Sequence, residues 1–305
     1  GELLAIAAVV MCILFIFVDL GQPARVFNII LYPSPRSLMF WDMISLSGYF
    51  LLNVIVAFVT LRAEREEIHA PRWMKVLALI SIPWAISIHT VTAFLYSGLA
   101  GRSFWLTAIL APRFLASAFA AGPALLILLC LGLRRFAGYD AGEQAIRKLA
   151  VIMTYAMSIN VFFVLVEVFT VFYAGIPEHM EHFEFMYLPG RDHVLAPWMW
   201  ISALFAVMAL VILLTPVWRN RMLPAGCVLV FASLWLEKGL GLIIGGFEPS
   251  PLGSVTRYAP TLPEWSIVAG IWAVGAILIT VFYKIALAVR KEADGQRTLK
   301  WRGVL

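Results

Sequence analysis

The chain has 305 residues, of which 62% are hydrophobic and only 13% are charged, and its net charge is +5. Soluble globular proteins contain about 25% charged residues, so the composition excludes that class and favours an integral membrane protein. The positive charge does not indicate nucleic-acid binding, because the basic residues lie mostly in short loops between apolar runs.

Eight apolar runs follow one another, and each approaches or exceeds the roughly 20 residues that cross a hydrocarbon core. Their approximate ranges are 3–18, 43–61, 75–98, 109–133, 149–174, 197–217, 222–245 and 265–289. Lipid offers no hydrogen-bond partners to the backbone, so the runs are predicted to be α-helices. We therefore predict an all-α membrane bundle over residues 1–305, with two four-helix halves and no soluble domain.

The first run is short, and neither an initiator Met nor a basic signal-peptide region precedes it. We expect one or two further helices before it, which would give about ten in the full protein.

The loops differ in basic residues along the chain. Lys and Arg are concentrated after the second, fourth, sixth and eighth runs, within residues 62–75, 134–148, 219–221 and 290–302. The positive-inside rule therefore predicts that both ends of the chain face the cytoplasm. The longer loops, 19–42, 176–196 and 246–264, then face outward, and their Pro, Gly and aromatic residues indicate ordered surface caps.

A few ionisable residues interrupt the apolar runs or lie at their outer ends: Asp19, Asp42, His89, Glu167, Glu237 and Lys238. Such residues are costly within a membrane and mark function by default. All six fall in the outer half of their spans, which predicts a shared polar site there.

Helical spacing supports this clustering on the fifth and seventh spans. Asn160 and Glu167 share one face, as do Ser233 and Glu237. Lys238 points about 100° away from Glu237 on an α-helix, and we predict that it pairs with Glu167. The structural alternatives remain open: a hydrogen-bonded core histidine, a Glu–Lys pair that joins two helices, and aspartates that cap helix ends.

The residue types favour some redox groups over others. A bis-histidine haem is disfavoured because His89 is the histidine inside a span, whereas His193, for example, lies in a loop. Cys12, Cys130 and Cys227 lack the spacing of a zinc or iron–sulfur site. The histidines and glutamates of residues 178–184 are a weak metal candidate. A quinone needs an apolar slot and one or two proton-exchanging groups, which this chain supplies.

The first outer loop carries a recognisable pattern. It reads Asp19-Leu20-Gly21-Gln22-Pro23-Ala24-Arg25, then Pro33-Ser34-Pro35-Arg36-Ser37 and Met39-Phe40-Trp41-Asp42. Weaker blocks follow at His89–Phe94, Gly101-Arg102, Ala111–Phe114, Glu237-Lys238 and Tyr258–Thr261. Together they resemble the NrfD/polysulfide reductase family of membrane subunits, and most closely its ten-helix members in the Dsr- and Hmc-type respiratory complexes of sulfate reducers. Gln22 departs from the family pattern, in which Arg is common.

This resemblance implies a subunit of the inner membrane of a bacterium or archaeon that serves anaerobic respiration and sulfur metabolism. It would exchange electrons between menaquinone and a ferredoxin-like iron–sulfur subunit at the outer loops, with further cytochrome or catalytic subunits nearby. The chain itself would hold no haem, iron–sulfur cluster or metal. Transferred to this sequence, the resemblance points to His89 with Asp19 or Asp42 at the quinone, to Glu167 and Glu237 as proton carriers, and to Tyr96 and Arg113 as residues that shape the site.

Two other functions remain open at this point. A secondary transporter would also carry buried charges, and Pro83 or Gly122-Pro123 would then break a helix near its binding site. A passive membrane anchor would need no buried acids.

Overall fold

Helices make up the regular structure of residues 1–69, 71–138, 141–190, 194–252, 254–256 and 259–302, which are the residues that this computed structural model describes. His193 and Tyr258, to which the sequence analysis refers, lie outside them. Among the described residues the α-helices are α1 (Glu2–Asp19), α2 (Asn28–Leu31), α3 (Leu38–Arg65), α4 (Arg72–Ser97), α5 (Leu110–Ala137), α6 (Glu143–Ala174), α7 (Pro177–Tyr187), α8 (Ala196–Leu214), α9 (Pro216–Trp235), α10 (Gly245–Phe247) and α11 (Leu262–Arg302).

The eight predicted spans are confirmed. In the described part of the chain, eight helical stretches are long and apolar enough to cross a membrane, and each coincides with one predicted run. The bounds differ by a few residues because the helices continue past the apolar core into polar ends, as α6 does from Glu143 onward.

The chain divides into two compact units. Unit 1 comprises Gly1–Val91 and Ala259–Leu305, and unit 2 comprises Thr92–Tyr258. In unit 1, α1, α3 and α11 pack together, and the indole N–H of Trp84 on α4 donates to the Ser45 carbonyl of α3 at 2.8 Å.

Unit 2 contains the bundle of α5, α6, α8 and α9. One of its cores is apolar and is built from small and flexible side chains such as Ala124, Met153, Met157 and Leu213. A second core lies under α7 and includes Trp105 and Phe183. The loop prediction for residues 176–196 is thus refined, because α7 is an ordered helix whose apolar side is buried.

Helix ends in unit 2 follow local sequence. Gly175 ends α6 in the left-handed conformation (φ 63°), where a side chain would be strained. Pro177 then opens α7, at a position where its missing N–H is not needed.

The breaks expected of a transporter are not found at the prolines. Pro83 lies inside α4 and Pro123 inside α5, and both helices are continuous. The span that contains α9 is the one with irregular helical geometry among those just discussed. It is kinked at Met222, and residues Leu236–Ile244 form a π-helix between α9 and α10.

Candidate functional site

Arg113 joins two buried carboxylates from different helices. Its Nη1 donates to Oε2 of Glu167 on α6, and its Nη2 donates to Oε1 of Glu237 in the π-helix at 2.8 Å. All three residues are buried, with exposed fractions of 5–8%. The planar guanidinium presents donors in a fork, which allows one side chain to hold two acids at once.

The remaining oxygen of Glu237 has its own partner. The Asn160 amide on α6 donates to Glu237 Oε2 at 3.0 Å. Glu237 therefore accepts hydrogen bonds at both oxygens, whereas Arg113 is the partner described for Glu167. A carboxylate held by two donors is the more firmly fixed anion.

Lys238 completes the group, which we call the ion cluster: Arg113, Asn160, Glu167, Glu237 and Lys238. The Lys238 Nζ lies 3.5 Å from Glu237 Oε1 and 5.0 Å from the centre of the Phe114 ring. Two cations thus balance two anions, as burial requires. The predicted Lys238–Glu167 pair is wrong, because Arg113 engages Glu167 and the flexible lysine reaches its own neighbour.

Three helical segments carry the members of the ion cluster. Pro112 lies in the first turn of α5, where it disturbs no helical hydrogen bond, so Arg113 stands at the very start of that helix. Glu167 is two turns from the end of α6. The π-helix carries Glu237, and such i→i+5 segments often occur at functional sites.

Two buried atoms of the ion cluster retain hydrogen-bonding capacity. Arg113 Nε and Asn160 Oδ1 have no hydrogen-bond partner among the residues that the structure describes. Lys238 Nζ is also buried, and the contact described for it is the one with Glu237 Oε1. Buried polar atoms are normally satisfied, so the ion cluster can form further polar contacts beyond its own.

A cleft of about 260 Å³ opens beside Glu167. Its walls are mainly apolar, and the polar side chains are those of Thr107, Glu167, Thr170 and His179. The full lining is Phe104, Leu106, Thr107, Ala108, Ile109, Glu167, Thr170, Val171, Ala174, Ile176, His179 and Phe183. Small-molecule sites share this combination of apolar walls and few polar groups.

The neighbours of Phe104, which lines the cleft, are held in place by hydrogen bonds to the end of the helical span that carries Glu237. Arg102 donates to the Phe247 carbonyl at 2.6 Å, and the Trp105 indole donates to the Leu242 carbonyl at 2.9 Å. Gly246 permits this approach, because a Cβ there would come within 2.2 Å of the Trp105 ring. Phe104, next to Trp105, is thereby held at the cleft wall.

A small second space lies at the ion cluster, and some of the residues that line it also line the cleft. It shares Phe104, Glu167 and Phe183 with the cleft and extends to Glu237 and Tyr187. Burial raises the pKa of the Tyr187 phenol to about 12; the Glu237 carboxylate adds to this rise and Arg113 opposes it. Glu167 therefore stands between the cleft and the other charged groups.

Comparison with known proteins places the chain in a family. Residues 1–246, more than half of the chain, match the family described as polysulphide reductase, NrfD. The chain belongs to the NrfD family. The predicted family resemblance is therefore confirmed, whereas the closer likeness to Dsr- and Hmc-type subunits stays a prediction.

Two relatives that are similar to this chain are named as subunits of redox enzymes. The Hdr-like menaquinol oxidoreductase integral membrane subunit of Archaeoglobus fulgidus is 26% identical, with 95% of this chain and 75% of the relative aligned. A selenate reductase subunit of Mesobacillus selenatarsenatis is 23% identical, with 94% and 76% aligned.

The NrfD-family residues predicted for the site fall in both units. Glu167, Glu237 and Arg113 meet in unit 2, where Tyr96 packs edge-on against Trp105 at 4.9 Å. The others are the residues predicted at the quinone: Asp19, exposed at the end of α1, and the partly buried Asp42 and His89. They belong to unit 1, and their part in the site stays a prediction.

Two members of the site were not predicted from the sequence: Asn160, which donates to Glu237, and His179, which lines the cleft. Arg113 was predicted to shape the site, whereas in the structure it is the cation shared by both acids. Two signals in the sequence point to Asn160 and Arg113. Asn160 shares a helix face with Glu167, which indicates that it belongs to the site. Two buried acids require a cation, and Arg113 lies at the edge of an apolar span.

The histidines and glutamates of residues 178–184, which were a weak candidate for a metal site, do not form one among the described residues. The described residues contain no group of three potential metal ligands. His182 instead contacts the Gly245 carbonyl through Nδ1 at 2.8 Å, and so attaches α7 to the end of the π-helix.

Proposed function

We propose that this NrfD-family chain is the quinone-reactive membrane subunit of a respiratory redox complex, and that the quinone ring binds in the cleft beside Glu167. The observation that carries the proposal is a buried carboxylate that lines an apolar cleft and is bonded on its other side to Arg113. The name of the Archaeoglobus relative, a menaquinol oxidoreductase subunit, supports menaquinone as the substrate.

The cleft matches a quinone in shape and polarity. Its volume is close to the lower end of the about 300–1,000 Å³ of small-molecule sites, as suits a flat ring whose tail lies elsewhere. Phe104 and Phe183 supply aromatic walls, and Glu167 and His179 supply groups that can bond to the ring oxygens.

The chemistry is a balanced two-electron, two-proton exchange. A hydroquinone that is oxidised in the cleft releases two protons, for which Glu167 and His179 are the acceptors. Its two electrons pass one at a time to the iron–sulfur clusters of an adjacent subunit, which pass the first electron on before or as they accept the second, and quinone reduction reverses each step. Imidazoles in general exchange protons near neutral pH, and positioned acids and bases accelerate such steps.

In this proposal the two glutamates of the ion cluster have different roles. Glu237 is bonded to Arg113 and Asn160, so it stays an anion and holds the cation in place. Glu167 faces the cleft and has fewer bonds to lose, so it is the acid that gains and loses a proton.

The loops and the relatives support a proposal for the cellular setting of the chain. The relatives from Mesobacillus and Archaeoglobus are parts of larger complexes by name. We place this chain in the inner membrane of a bacterium or archaeon with both termini in the cytoplasm, and an iron–sulfur subunit at the outer loops. The ion cluster then lies near the outer face.

Substitution of Glu167 tests the proposal. Glu167→Gln keeps an acceptor for Arg113 but cannot bind and release a proton, so quinol-linked electron transfer by the complex should fall about 100-fold or more. Glu143→Gln is the matched control, because Glu143 is an exposed acid on the same helix. Unchanged turnover in Glu167→Gln, with the complex fully assembled, would contradict the proposal.

His89 offers a comparison within the same assay. Should His89→Ala abolish turnover while Glu167→Gln does not, the reactive site lies in unit 1, as the sequence-based prediction for His89, Asp19 and Asp42 has it.

A further inference from the structure

An apolar groove runs along the surface of α5 and α6. Its volume is about 470 Å³, and its lining includes Pro112 and Phe119 from α5 and Ile152, Tyr155 and Ile159 from α6. Its side chains are almost wholly apolar, whereas the cleft beside Glu167 carries several polar groups. The groove is thus suited to a hydrocarbon and not to a polar molecule.

Small residues create the groove. Ala116 on α5 and Ala156 on α6 are buried at its base, with exposed fractions of 7% and 6%. Bulkier neighbours such as Tyr155 and Phe119 rise on its sides and are 68% and 49% exposed. A larger residue at either alanine position would fill the space.

The groove and the cleft lie on the same helix faces. On α5, Ile109 lines the cleft and Pro112, one turn further, lines the groove. On α6, Thr170 lines the cleft and Ile152 and Ile159 line the groove. A helix turns about 100° per residue, so these α6 residues form a single stripe, with Phe163 between the two cavities.

The combined length matches the membrane. Thr170 and Ile152 are about 18 residues apart, which is about 27 Å along a helix, and the hydrocarbon core is about 30 Å thick. A molecule with its polar head in the cleft and an apolar chain in the groove would therefore extend across most of the membrane.

We propose that the groove between α5 and α6 binds the polyisoprenoid tail of the quinone whose ring occupies the cleft. This inference rests on the proposed function. The tail must leave the cleft toward the lipid, and the groove continues the faces of α5 and α6 that line the cleft. Phe163 lies between the two cavities on the α6 face.

Photolabelling of the intact complex in its native membrane tests the inference. One long-chain menaquinone analogue carries a diazirine in the tail and a second carries it on the ring. Mass spectrometry should locate tail adducts on groove residues of α5 and α6, and ring adducts at the cleft. An excess of unlabelled long-chain quinone should suppress both.

The labelling pattern distinguishes failure of the groove assignment from failure of the proposed function. Ring adducts at the cleft with tail adducts elsewhere would overturn the groove assignment and leave the proposed function standing. Ring adducts away from the cleft would overturn the proposed function. Labelling of the groove by a diazirine phospholipid that long-chain quinone does not displace would show a lipid site and would also overturn the assignment.

A pair of tryptophan variants gives a second readout. Ile159→Trp narrows the groove, whereas Leu165→Trp changes a residue on the opposite face of α6 that is 62% exposed. Since lipid is as apolar as the groove, the tail gains packing rather than hydrophobic energy, and we expect KM to rise by about threefold or more. The rise should affect the long-chain quinol only, and only in Ile159→Trp. Equal KM values for the long-chain quinol in the two variants would contradict the inference.

Discussion

Two layers of the unit 2 bundle use the same helices in different ways. In one layer Ala124, Met153, Met157 and Leu213 pack without any charge. In the other, Arg113, Lys238 and the two glutamates place four charges inside the bundle. The first layer depends on shape, and the second on charge balance, so changes of side chain should have different consequences in each.

The difference also separates stability from function. An apolar core needs no particular residue as long as the volume is filled. A buried ion cluster is a weak source of net stability, yet the loss of one member is severe. Retaining such a group therefore suggests a chemical task, which we propose to be proton exchange with a quinone in the cleft next to Glu167.

The largest expected effect is that of Arg113→Ala. It leaves two buried carboxylates without their shared cation, which should lower the free energy of unfolding by about 3–5 kcal/mol. Arg147→Ala is the control, because Arg147 forms an exposed pair with Glu143 and should contribute under about 1 kcal/mol. Denaturation in detergent micelles measures both. Similar losses of unfolding free energy in the two variants would contradict the burial of the ion cluster.

Met157→Ala examines the apolar layer. Met157 is fully buried, and a cavity in its place should destabilise the protein by about 2–5 kcal/mol. Turnover with quinol should stay near the wild-type value at temperatures where the variant is folded. Loss of turnover without loss of stability would contradict a purely structural role for the apolar layer.

Asn160→Ala removes one donor to Glu237. A hydrogen bond to a charged group contributes about 1.5–3 kcal/mol, so the expected destabilisation is smaller than for Arg113→Ala. Thr154→Ala provides the control on the same helix, because the Thr154 hydroxyl donates only to the Ala150 carbonyl among the described contacts. The two unfolding midpoints should differ, with the lower one in Asn160→Ala.

Substitution of Tyr187 should have the smallest effect on stability, and the effect should appear only at high pH. Its folded-state pKa is raised to about 12 from an ordinary value of 10.0. The unfolded phenol ionises first, so the stability associated with the neutral form is present below pH 10 and is lost as the pH rises to about 12. Tyr187→Phe should remove this part of the decline. Parallel pH curves for the two proteins would contradict the assignment.

Sequence patterns predicted the spans well, because hydrophobic runs and the needs of the backbone in lipid determine them directly. They also identified Glu167 and Glu237, since a charge in an apolar run is conspicuous. They could not identify Arg113 as the shared partner, because residues 113, 167 and 237 are brought together only by packing. The π-helix after Trp235 and the cleft beside Glu167 likewise depend on tertiary contacts that no local pattern encodes.

The most direct test is an experimental structure of the intact complex with a bound menaquinone analogue. We expect the ring in the cleft of unit 2, with its oxygens within hydrogen-bond distance of Glu167 and His179. A ring bound at His89 in unit 1, with the cleft beside Glu167 unoccupied, would contradict it.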